Sequence, residues 1–224
     1  MKKNKISKNW VNKQRRDTFV KQSKIDGYRA RSAYKLIEID EKFKIFKGGI
    51  STIDIGAAPG SWSQYVAKTV KSGRLISIDL KAMEPIGNTI QIEGDFTEEN
   101  IKDEIKKHIN KKIDVVMSDM AVNTTGIKNI DSIQTGELCK EAMFFAKDLL
   151  KDNGLWPRNI DFVVVCENPK IGPYVNQIKK SLSEILKIEE SFIGVKATTT
   201  EKMGVIGNGN GIAVYAIASL WNKQ

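Results

Sequence analysis

Apolar and polar residues alternate in blocks along most of the chain. Residues 32–46 (SAYKLIEIDEKFKIF) put Leu36, Ile39, Phe43 and Phe46 at helical spacing, which predicts an amphipathic helix stopped by Gly48-Gly49. ISTIDIG then reads as a buried strand entering a glycine-rich turn, SWSQYVAKTVK as a helix, and RLISIDL as a second strand. TIQIEGD is a third strand, EENIKDEIKKHI a polar helix, KIDVVMSD a fourth strand, and GELCKEAMFFAKDLLK a helix closed by Asn153-Gly154. Past Gly154 come DFVVVCE as a strand, PYVNQIKKSLSEILK as a helix and SFIGVKATT as a strand. A glycine-rich loop, GVIGNGNG, leads into a last strand, IAVYAIASLW. Strand and helix alternate and the strands are apolar, so the expected fold is α/β, a doubly wound and mostly parallel sheet covered on both faces. Ligands of such sheets sit at the carboxyl ends of the strands, near the switch point.

Composition narrows the class. Length (224 residues), 41% apolar and 28% charged content describe an ordinary globular chain. The longest apolar run, residues 211–221, is far shorter than the roughly 20 residues that span a bilayer, and the basic start lacks a signal peptide's apolar stretch, so no membrane partner is expected. Two cysteines and one histidine leave no disulfide framework and no histidine-rich metal site; no metal is expected, and a reducing cytoplasm fits. Charge is lopsided. Residues 1–35 hold 12 of the 36 Lys and Arg and two of the 27 Asp and Glu, so they carry the whole excess of +9. A basic arm on a near-neutral body is the footprint of a polyanion binder, and Trp10, Phe19, Tyr28 and Tyr34 are interleaved with it, which suits stacking on unpaired bases.

The chemistry concentrates after the first strand. In DIGAAPGSW, Gly56 and Gly60 let the backbone approach a ligand. Asp79 ends the second strand, 19 residues after Gly60, where a carboxylate accepts ribose hydroxyls. The loop has one GxxxG rather than GxGxxG, so it suits a nucleoside without phosphates, such as S-adenosylmethionine, better than a dinucleotide. Asp95 ends the third strand, where it can accept from an exocyclic amine, and Asp119 ends the fourth. Singly, each acid reads as a turn or helix cap; three at successive strand ends point to one site.

RSAYKL, DIGAAPGSWSQY, ISIDL, MEPI, GDF and VVMSDMAVNTTG occur in that order, and residues 8–155 resemble the FtsJ/RlmE family of large-subunit rRNA ribose 2′-O-methyltransferases. The resemblance implies S-adenosylmethionine as cofactor, bound at Gly60, Trp62, Asp79, Asp95 and Asp119. It implies a uridine ribose of large-subunit (23S) rRNA as acceptor, and ribosomal RNA or the large ribosomal subunit as partner. The family uses a Lys-Asp-Lys-Glu catalytic set; Lys35 in RSAYKL matches the first lysine and Asp119 in SDM the aspartate. A lysine of ordinary pKa, about 10.4, is a poor base at neutral pH, and a second nearby cation lowers that value, the physical use of paired lysines. Ser61 stands where a second glycine is common, and Val122 where proline is usual.

The second lysine and the glutamate have no matching positions: Val165 or Cys166 stands where that lysine is expected. Instead, NIDFVVVCENPKIGPYV and VKATTTEKMGVIGNGNGIAVYAIASL, within residues 157–222, resemble the C-terminal part of 2-C-methyl-D-erythritol 2,4-cyclodiphosphate synthase. There the resemblance implies a cytidine diphosphate segment at Thr198, Thr199, Thr200 and Glu201. That family's Asp-x-His metal site has no counterpart, and its loop arginine appears as Asn208. The chain therefore reads as a hybrid joined near residues 155–158: a basic RNA-binding arm (1–31), a methyltransferase-like core (32–155) and a synthase-like segment (156–224). The tail has the element order that the missing part should have, so it is expected to supply the last strands of one sheet, with DFVVVC fifth; Lys170, just after that strand, reads as a surface lysine ahead of a stand-in for the missing lysine at the acceptor hydroxyl. Two other functions stay open: an RNA- and S-adenosylmethionine-binding protein without turnover, favoured by the missing second lysine, and an isoprenoid-pathway protein working through the tail, disfavoured by the missing Asp-x-His.

Overall fold

The computed structural model describes residues 17–110, 112–120, 128–152, 154–209 and 211–222. They form α1 (Thr18–Ile25), α2 (Ala33–Phe43), β1 (Thr52–Ile55), α3 (Ser61–Thr69), β2 (Leu75–Asp79), β3 (Ile90–Glu93), α4 (Glu99–Lys107), β4 (Val115–Ser118) and α5 (Lys128–Asp152). After these come β5 (Leu155–Val165), α6 (Val175–Leu186), β6 (Ile193–Thr198), the single turn α7 (Gly204–Gly207) and β7 (Ala213–Asn222). Among the described residues no helix is long and apolar enough to cross a membrane. The chain divides into two compact units, residues 1–142 and 143–224.

The first unit is built on a four-stranded sheet in the order β3-β2-β1-β4, every pair parallel. This is the α/β arrangement expected from the alternation. Parallel neighbours need crossovers: α3 supplies the one from β1 to β2, while residues 80–89 make the one from β2 to β3 without a helix. Ile53 and Ile55 of β1 and Ile76 and Ile78 of β2 are fully buried, as strands covered on both faces require. A cluster of Leu36, Phe46, Val66, Leu75 and Met117 joins α2 and α3 to the sheet.

Helix α2 ends earlier than the apolar spacing predicts. It stops at Phe43, with Lys44 left-handed at φ 53. The Asp40 carboxylate accepts the Phe46 N–H at 2.9 Å and the Tyr65 hydroxyl at 2.7 Å. This buried acid folds the chain back, so Phe46 reaches the core from outside the helix while Ile39 and Phe43 stay exposed. At the other end of this unit's sequence, Asp17 caps α1 through the N–H groups of Phe19 and Val20. Phe19, Tyr28 and Tyr34 pack on one another, with the Lys68 amine 4.3 Å from the Tyr28 ring centroid. Trp10 lies outside the described residues.

The second unit corrects the expectation of a single composite sheet. DFVVVC lies in β5, but β5 pairs with β6 in parallel and with β7 antiparallel, in a separate three-stranded sheet ordered β6-β5-β7. Both hydrogen-bonding edges of β5 are taken, so none remains for β4. Helix α6 packs on β6, and Leu186 and Ile193 are buried. Lys147 donates to the Ile185 carbonyl in the last turn of α6, a favourable place for a cation at a helix C-terminus; burial lowers the pKa of its amine.

Candidate functional site

The site grows from the carboxyl ends of β1–β4. The loop after β1 turns sharply. Gly56 has φ +75, and the N–H groups of Gly56 and Ala57 both donate to the Ile78 carbonyl, at 2.8 and 3.0 Å. Gly60, at φ +104, stands at the N-cap of α3. A Cβ on Gly56 would lie 2.0 Å from Met120 Cγ, and one on Gly60 2.7 Å from Ile86 Cδ1 and 2.8 Å from Arg29 Nη1. Conformation and space both demand glycine at these two positions.

Arg29 has a role that sequence reasoning missed, because nothing in its pattern separates it from the other basic residues of the arm. Its Nη1 donates to the carbonyls of Pro59 at 3.1 Å and Glu84 at 2.9 Å, and its Nη2 to Pro85 at 3.2 Å. One guanidinium thus pins the glycine loop to the segment after β2.

The three acids lie where the spacing puts them, along one edge of the sheet. Asp79 closes β2; its Oδ2 accepts the Ala58 N–H and its Oδ1 the Lys81 N–H, both at 2.9 Å. Asp95 follows β3, and its Oδ1 accepts the Thr97 N–H at 2.9 Å and hydroxyl at 2.7 Å. Both carboxylates therefore shape the turns that follow their strands. Trp62 is half-buried: its indole donates to the Ser32 carbonyl at 2.8 Å, and its ring packs on the core cluster. With a contact of 3.3 Å between the Ser32 and Ser61 hydroxyls, this fixes the start of α2 against the start of α3.

That anchoring positions Lys35, in the first turn of α2. Its amine lies 2.8 Å from Asp119 Oδ1 and 3.1 Å from Oδ2. Residues 84 apart in sequence are thus paired just past β4, with the Lys35 side chain 64% exposed and that of Asp119 33%. Both lie within reach of solvent and of a large substrate.

Beneath them sits a group that the sequence did not single out. Asp54, in β1, is buried; its Oδ2 accepts the Ser63 hydroxyl at 2.6 Å, and Ser63 and Ser77 oxygens are also 2.6 Å apart. Burial pushes its carboxyl up to about 7, helped by the negative charges of Asp119 and Asp79 and opposed by the bonds from Ser63. An acid among strand isoleucines carries no signal of its own; only its place in the glycine-loop motif hints at a role.

The remaining candidates lie in the second unit. Lys170 is 3.6 Å from Glu167, and Cys166 is buried with its thiol 3.2 Å from the Asn168 carbonyl. The Thr199 hydroxyl donates to Glu201 at 3.0 Å, and the Thr200 hydroxyl to the Met203 carbonyl at 2.9 Å, so these side chains bond within their own loop. Val122 lies outside the described residues.

Comparison with known proteins places this geometry in context. The FtsJ-like methyltransferase family matches residues 28–188, a span that runs into the second unit. The "Ribosomal RNA large subunit methyltransferase E" of Pelagibacter ubique is 70% identical over 154 residues, 69% of this chain and 76% of that protein. A solved ribosomal RNA methyltransferase from Plasmodium falciparum superposes with a TM-score of 0.55 at 31% identity, covering 70% of this chain and 86% of the other. A 2C-methyl-D-erythritol 2,4-cyclodiphosphate synthase from Plasmodium vivax is 31% identical over 43% of this chain and 67% of its own. Its TM-score is 0.37.

Proposed function

Because the chain belongs to the FtsJ-like methyltransferase family, we propose that it methylates the 2′-hydroxyl of a uridine in large-subunit ribosomal RNA, with S-adenosylmethionine as donor. The observation that carries this reading is the Lys35–Asp119 pair, formed beside the glycine loop at the carboxyl ends of a parallel sheet.

The residues present fit the donor. Gly56 and Gly60 leave backbone where a Cβ would collide, and Asp79 offers a carboxylate at the end of β2. Each of its oxygens accepts one backbone N–H and keeps a lone pair for a ribose hydroxyl. Among the described residues Oδ2 of Asp95 accepts no hydrogen bond, which suits an exocyclic amine. Gly60, Asp79 and Asp95 would hold the nucleoside, with Trp62 bracing the loop from α2. When bound, S-adenosylmethionine would supply an electrophilic methyl group on its sulfonium sulfur for transfer to the ribose oxygen.

The chain's own groups then have two tasks: holding the hydroxyl in line and removing its proton. The Asp119 carboxylate accepts the hydroxyl proton. The Lys35 amine holds that carboxylate through two of its three donors and directs the third at a ribose or phosphate oxygen of the RNA. The basic arm lies along rRNA phosphates and supplies salt-dependent affinity.

Calorimetry with full-length protein tests the cofactor half of the reading. S-adenosylmethionine binds the wild type, and Asp79→Ala loses binding at least tenfold, about 1.4 kcal/mol, on the scale of a lost hydrogen bond to a charged group. Methyl transfer to large-subunit rRNA, mapped to a uridine 2′-oxygen, tests the rest. Folded, cofactor-binding protein that transfers no methyl to rRNA overturns the proposal.

A further inference from the structure

The second unit holds a cleft of about 600 Å³ that the methyl-transfer site does not use. Trp156 of β5 and Trp221 of β7 are direct antiparallel partners, so their indoles share one face of the sheet and line this cleft. Helix α6 ends in a left-handed Lys187 at φ 58, which turns the chain into a segment whose Phe192 forms another wall. Trp221 is 50% exposed and Phe192 48%. Arg158 and Lys187 bring two cations to the lining against one acid, Glu189, and the Lys151 amine lies 5.5 Å from the centroid of the Trp156 ring.

Large aromatic surfaces left at half exposure beside cations mark an interaction site. The volume lies within the range of roughly 300–1,000 Å³ usual for ligand sites. Aromatic faces bind flat π systems, and guanidinium and ammonium groups bind phosphate. A symmetric contact with a second copy would bring the same cations face to face, which disfavours the chain itself as occupant. We propose that this cleft holds an unpaired nucleotide of single-stranded RNA, its base against Trp221 and Phe192 and its phosphates on Arg158 and Lys187. The inference rests on the reading of RNA as the substrate, and gives the second unit a part in holding it.

The test is binding of a fluorescent tetrauridylate to the full chain at low and high salt. Stacking survives salt that screens phosphate contacts. Trp221→Ala is therefore expected to weaken binding roughly tenfold or more at high salt, and Arg158→Glu to weaken it most at low salt, with S-adenosylmethionine binding unchanged in both. Phe192→Ala replaces Trp221→Ala if circular dichroism shows the latter unfolded. Equal affinity across wild type and variants overturns the proposal. So does uridine monophosphate binding as tightly as tetrauridylate, or a wild-type dimer that Trp221→Ala dissociates without changing RNA affinity. Methyl transfer to rRNA with unchanged tetrauridylate binding removes the cleft alone. Tryptophan-dependent oligonucleotide binding without transfer supports the cleft and removes the methyltransferase reading.

Discussion

The two sheets of this protein meet different fates. TIDI and LISID in the first unit are less apolar than DFVVV and AVYAIASLW in the second. Yet the isoleucines of β1 and β2 are at most 1% exposed, while Ile217 of β7 is 73% exposed and Val214 56%. Connection decides the difference. Parallel pairing forces each connection to cross over, and the helices among those connections cover the sheet. The antiparallel β5–β7 pair needs no such crossover, and the helix α6 packs against β6. The first unit has therefore a sealed core with chemistry at its strand ends, whereas the second offers open aromatic surface.

Substitutions sharpen that contrast. Ile53→Ala, in the sealed core, should cost about 2–5 kcal/mol of unfolding free energy, because it leaves a cavity among close-packed neighbours. Urea denaturation reads this directly, and a cost near zero would mean that the first sheet is not the stabilising centre. Asp54→Asn is the next largest. With its carboxyl raised to about 7 from an ordinary 3.8, folded Asp54 binds a proton that the unfolded chain has lost. Its contribution to stability is full below about 3.8 and declines as pH rises to about 7. The denaturation midpoint of the wild type, measured against that of Asp54→Asn, should fall through this window and level off above it; parallel curves would remove the buried acid from the account. Ile217→Ser, on the open strand, should stay within about 0.5 kcal/mol of wild type. A loss as large as that of Ile53→Ala would mean that the β7 face is covered in solution.

Much of the first unit was legible because its physics is local. Periodicity gave the order of strands and helices, and glycine spacing gave the loop. The acids at the ends of β2, β3 and β4 follow from where each strand stops. What was not legible depends on tertiary partners. The early end of α2 is set by the Asp40 side chain capturing the Phe46 N–H, and no glycine announces it. The division into two sheets is invisible in β5, whose residues suit either sheet until β6 and β7 occupy its two edges. The Lys35–Asp119 pair could not come from spacing, since 84 residues separate its members; only the resemblance of RSAYKL and SDM to a known family pointed to it. Arg29 and Asp54 escaped for opposite reasons, one hidden among many basic residues and the other inside an apolar strand.

The most direct test of the central claim is a double-mutant cycle in single-turnover methyl transfer to large-subunit rRNA, using the wild type, Lys35→Ala, Asp119→Ala and the double variant. If the two side chains act as one unit, each single substitution lowers the rate by roughly 10²–10⁴, and the double variant is no slower than the worse single one. Losses that multiply, or a Lys35→Ala enzyme as fast as wild type, would contradict the account.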